Sequence, residues 1–68
     1  MAITLKAMRV NRGLSQKEAA KMIGVAPSTL SFWENGKSSP SMKHFKSVCL
    51  AYRCRAEDIF LPGDLTKS

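Results

Sequence analysis

Apolar side chains along this chain recur at helical spacing. Leu5 and Met8 stand three residues apart, as do Leu30 and Trp33, while Ala19, Ala20 and Ile23 share one side of a turn-and-a-bit. Met42, Phe45, Val48, Cys49 and Tyr52 form a longer stripe of the same kind. Nothing alternates as a half-buried strand would. Punctuation divides the pattern into five elements. A first helix over residues 4–12 has Thr4 as its N-cap and Gly13 as its stop. Leu14 follows as an apolar anchor, and "SQKE" then places Glu18 three residues after Ser15. That is a capping box, in which each side chain satisfies a backbone N–H left open by the first turn. The second helix, 16–23, ends at Gly24. The third, 27–35, opens on Pro27, where a missing N–H costs nothing, behind Ala26, a poor cap. A fourth, 41–52, starts at Ser41, a good cap, and a short fifth, 56–61, stops at "PG". The expected fold is all-α, a compact bundle of five short helices. The expected domain is single, 1–68, with its core over 4–61 and a fraying tail at 62–68.

The turn between the second and third helices is only about three residues, too short for an antiparallel hairpin and suited to a sharp angle. The third helix is also two-sided. Leu30 and Trp33 form an apolar side, while Ser28, Ser31, Phe32 and Asn35 lie opposite. Such a flank of short polar groups suits close approach to base edges in the major groove, which is wide enough to admit one helix.

Charge adds to this picture. The chain carries a formal +6 with 44% apolar residues. Residues 1–46 hold Lys6, Arg9, Arg12, Lys17, Lys21, Lys37, Lys43 and Lys46 against Glu18 and Glu34, whereas 47–68 balance. A basic half favours a polyanionic partner. No run approaches the roughly 18–20 apolar residues of a membrane span, and the start lacks a signal-peptide pattern. A cytoplasmic protein is expected. Cys49 and Cys54 are five residues apart, a spacing that matches no common zinc pattern. Cys49 falls at an apolar helical position, so small hydrophobes are expected rather than a disulfide or metal site.

Three motifs occur in order: "R-x-x-x-G-L-S-Q" at 9–16, "A-x-x-x-G-V" at 20–25 and "W-E-N-G-x-x-x-P" at 33–40. With them, from about Leu5 to Leu61, the chain resembles the lambdoid phage repressor and Cro-type helix-turn-helix family, also called the xenobiotic-response-element family. The resemblance implies a transcriptional regulator, a repressor by expectation, whose third helix enters the major groove of double-stranded DNA. It implies that Gln16 and the amides beside it grip a phosphate, with Lys17 and Arg12 flanking, a use that suits helix N-terminus chemistry. Lys37 and Ser38 would touch the backbone after the recognition helix, and Lys43 and Lys46 could extend that strip. Asn35 resembles a backbone-contacting asparagine. Arg9 and Glu34 would form a structural ion pair tying the first helix to the third.

Ser28 and Phe32 are the leading base-reading positions, with Ser31 between them and Pro27 and Thr29 alongside. Phe32 departs from the family, which usually carries a polar or basic residue there. Its ring either packs on a thymine methyl or is half buried against a neighbouring helix or a second subunit. The third helix has no arginine, lysine or glutamine, the strongest bidentate base readers. Leu50, Ala56 and Phe60 are candidate dimer contacts, the alternative being that they complete a small core. Arg55 stands where similar proteins prefer a small cap residue.

An enzyme is not expected: no carboxylate pair, nucleophile with a base or phosphate-cradling glycine loop is found. No cofactor, metal or small-molecule ligand is expected either. Homodimerisation is, since one recognition helix reads about half an operator. The alternative from another class is an antitoxin-like or regulatory protein-interaction module on the same fold. RNA binding is the weaker rival, lacking the aromatic platform it usually needs.

Overall fold

The computed structural model describes residues 2–60. It is mostly helical. In chain order the elements are β1 (Ile3–Thr4), α1 (Leu5–Asn11), α2 (Gln16–Ile23), α3 (Pro27–Glu34), α4 (Met42–Tyr52), a 3₁₀ turn (Ala56–Asp58) and β2 (Ile59–Phe60).

The helix starts follow their side chains. Thr4 Oγ1 accepts the Ala7 N–H at 3.0 Å, and Ser41 Oγ accepts the His44 N–H at 3.2 Å. At α2 both halves of the capping box are made: Glu18 N–H to Ser15 Oγ at 3.0 Å and Ser15 N–H to Glu18 Oε1 at 2.9 Å. Two of the ends are left-handed. Gly24 has φ +95°, letting the Val25 N–H return to the Ala20 carbonyl at 3.0 Å and turning the chain sharply into α3. At the end of α4 the same conformation falls on a non-glycine residue, Arg53, with φ +54°.

The core is one cluster: Leu5, Met8, Ala19, Ala20, Ile23, Leu30, Trp33, Val48, Tyr52 and Ile59. α2 packs on both α3 and α4, and α1 packs on α3. Ala19 and Ala20 are fully buried, their small size permitting that close approach. Tyr52 is also fully buried. Burial, with the Glu34 charge adding to it, pushes its hydroxyl up to about 12.

Three expectations need correction. The fifth helix is a single 3₁₀ turn, held at its start by the Arg55 N–H on Asp58 Oδ2 at 3.0 Å. Ile59 then goes extended, with φ −114° and ψ 129°, as suits a β-branched residue. Its extended backbone forms the second correction, a two-residue parallel pair in which Ile3 faces Ile59 and Thr4 faces Phe60. Two residues cannot display alternation, so the sequence carried no signal for it. Third, Met42 leaves the α4 stripe: at 77% exposure it is solvent-facing, while Val48 and Tyr52 are buried. The expected helix end at Leu61 and the tail 62–68 lie outside the described residues.

Candidate nucleic-acid interface

The flank of α3 opposite its core residues faces outward. Leu30 and Trp33 are buried, and Trp33 is further held by His44, ring centroids 5.7 Å apart. Pro27, Ser28, Phe32 and Asn35 are exposed, and Thr29 and Ser31 are half-buried. Phe32 retains 50% exposure, so the neighbouring helices do not enclose its ring. Asn35 Nδ2 donates to Ser31 Oγ at 3.3 Å, linking two polar members of the flank.

The loop after α3 folds back onto that helix. Gly36 adopts φ +75°, and the Lys37 and Ser38 amides donate to the Phe32 carbonyl at 2.9 and 3.4 Å. Lys37 and Ser38 are therefore held, exposed, at the end of the presented flank. Lys43 and Lys46 on α4 are exposed as well.

Beneath the flank lies a charged joint. Arg9 Nε donates to Glu34 Oε2 at 2.7 Å and Arg9 Nη2 to Glu34 Oε1 at 3.2 Å. Their side chains are only 10% and 2% exposed. Arg9 Nη1 reaches the Leu14 carbonyl at 2.8 Å, so the guanidinium also closes the end of α1. The hydrogen bond to Glu34 holds the Arg9 pKa above its ordinary value despite burial. The joint fixes α1 against the last turn of α3, and a planar fork sets angle as well as distance.

Gln16 joins the same carboxylate: its Nε2 donates to Glu34 Oε1 at 2.9 Å. Eighteen residues separate the two in sequence, and no local pattern announces the bond. The first turn of α2 leaves the Gln16 and Lys17 N–H groups without intrahelical acceptors, with Lys17 exposed beside them. The joint thus anchors the Gln16 side chain beside those two N–H groups.

Arg12 is placed otherwise than the sequence suggests. Its Nε donates to the Tyr52 carbonyl at 2.6 Å and its Nη2 to the Arg53 carbonyl at 3.3 Å, so it closes the C-terminal end of α4. Leu50, 81% exposed, and Ala56 line an apolar hollow with Met42 and Phe45, whereas Phe60 belongs to the strand pair and does not line it. Val10 and Met22 are exposed apolar side chains that the sequence did not single out.

Among the described residues no helix is long and apolar enough to cross a membrane. The model of the helix-turn-helix family matches residues 5–59. A helix-turn-helix-type transcriptional regulator of Archaeoglobus fulgidus, uncharacterised in its own right, is 33% identical over 64 residues, covering 94% of this chain and 91% of the relative. A similar regulator of Methanocaldococcus jannaschii is 35% identical over 60 residues, covering 88% and 91%. Among solved structures, the clp gene regulator ClgR from C. glutamicum superposes with a TM-score of 0.74 at 31% identity, over 79% of this chain and 70% of that one. The family is a DNA-binding class without enzymatic activity. An outward polar flank on an anchored third helix, a tight glycine turn before it and these relatives agree: the chain belongs to the Cro/C1-type helix-turn-helix family of DNA-binding transcriptional regulators.

Proposed function

We propose that the protein is a sequence-specific repressor that inserts α3 into the major groove and binds a palindromic operator as a homodimer in the cytoplasm. The observation that carries this reading is the outward flank of α3, short polar groups around one half-exposed ring, on a helix clamped from behind by Leu30 and Trp33. Ser28 and Phe32 read bases, with Pro27, Thr29 and Ser31 beside them. Serine discriminates weakly, so much of the direct readout falls to the Phe32 ring on a thymine methyl. Gln16, Lys17, Asn35, Lys37 and Ser38 hold phosphates on either side. Leu50, Ala56 and Phe60 contact the second copy.

Selection from random duplexes with the purified protein tests this directly. A palindrome of fixed spacing, about one helical turn between half-site centres, is the expected product. A salt titration on the selected duplex should give a steep log–log loss of affinity, with a slope set by the phosphates neutralised. No enrichment, with negligible duplex affinity even at low salt, would instead favour a protein-interaction role for the same fold.

A further inference from the structure

The C-terminal corner of α4 brings together two groups that DNA binding does not use. With Arg53 left-handed, the Cys54 N–H returns to the Cys49 carbonyl at 3.0 Å and the Arg53 N–H to the Leu50 carbonyl at 3.3 Å. In a helix ending of this kind the side chains of those two outer residues meet across the turn. Here both are thiols, free, half-buried and near enough that each perturbs the other's titration. The 3.0 Å backbone bond thus brings Cys49 and Cys54 together across a single turn. Both cysteines also line the two open hollows that flank the corner, so a small solute can reach them from solvent.

We infer that Cys49 and Cys54 form an oxidisable dithiol, which a peroxide closes into an intramolecular disulfide stapling the end of α4. One thiolate attacks an oxygen of hydrogen peroxide; the O–O bond breaks, hydroxide leaves and a sulfenic acid forms. The second thiolate attacks that sulfur, the S–S bond forms and a second hydroxide leaves. The two thiols lose two protons and two electrons in total, and the peroxide becomes two waters. Burial raises both thiols above their usual value, so the first step is slower than at an exposed thiolate. The second is intramolecular and fast, because the backbone already holds the partner in place. Such a staple limits the unfolded chain and so stabilises the folded corner.

The reduced chain, treated with hydrogen peroxide and followed by intact mass and thiol titration, tests the inference. The mass should fall by two hydrogens while both thiols disappear together. The product should stay a single chain, revert with dithiothreitol and melt several degrees above the reduced form. Cys49→Ser and Cys54→Ser should each lose that response and instead gain oxygen or link chain to chain. The inference is overturned if the unaltered chain behaves like those variants. It is equally overturned if both thiols survive a dose that consumes free glutathione, or if the oxidised chain melts earlier than the reduced one.

Discussion

α2 and α3 are each eight residues long, and they solve opposite problems. α2 is closed at its start by a reciprocal capping box and buries Ala19, Ala20 and Ile23 against its neighbours. α3 starts at Ala26 with no side-chain cap and no acidic residue in its first turn, and it buries only Leu30 and Trp33. The difference is instructive. A carboxylate at the start of a helix stabilises it through the open N–H groups and the dipole. α3 forgoes that stabilisation, and its first turn presents Pro27 and Ser28 to solvent instead. Besides the buried Leu30 and Trp33, it is held at the far end, where Glu34 meets Arg9 and Gln16.

Breaking that far end should have the largest effect. Glu34→Ala strands a buried guanidinium and should cost about 3–5 kcal/mol in urea or thermal unfolding, with DNA affinity lost as a consequence. Unchanged stability alongside abolished binding would move Glu34 from the structural joint into the interface. Next in size are the two starts, which should respond with opposite sign. Ser15→Ala should destabilise by about 1 kcal/mol, and Ala26→Ser should stabilise by a similar amount, both read from urea midpoints. If Ala26→Ser gave no gain, another group would already satisfy the start of α3. Phe32→Ala separates folding from reading. Stability should stay within about 0.5 kcal/mol, since the ring is half exposed. Binding to the selected operator should weaken by about 1 kcal/mol, roughly fivefold, with the loss confined to sites bearing the contacted thymine. A large fall in melting temperature would show the ring to be part of the core.

The smallest effect is in acid. The Ser15 backbone N–H, and then its hydroxyl, hold the Glu18 carboxyl below its usual 4.5. The native state therefore favours the ionised form. Its contribution is present above pH 4.5 and lost as pH falls through the lower folded value. Amide exchange should show α2 loosening at its start in that window while the start of α3, which has no carboxylate, does not change. Equal loosening of both would refute the contrast.

Much of the molecule is legible in the order of its residues. The four α-helices, the cap at Ser15, the turn at Gly24, the inward Leu30 and Trp33 and the outward Ser28 and Phe32 all follow from spacing within about ten residues, where sequence distance fixes spatial distance. The last segment does not. After residue 55 the chain makes one 3₁₀ turn, and the extended Ile59 settles beside Ile3, a partner chosen by the fold.

Apart from Arg9–Glu34, which the family resemblance implied, the long-range polar partners were decided only in the tertiary structure. Gln16 could have faced solvent, and Arg12, expected beside a phosphate, meets the carbonyls of Tyr52 and Arg53. Likewise, nothing in a spacing of five fixes whether two cysteines meet; the left-handed Arg53 brings Cys54 back to Cys49. Apolar periodicity tells a helix which side to bury, because burial depends on area alone. A hydrogen bond needs a particular atom at a particular angle, and which atom arrives depends on how the helices dock.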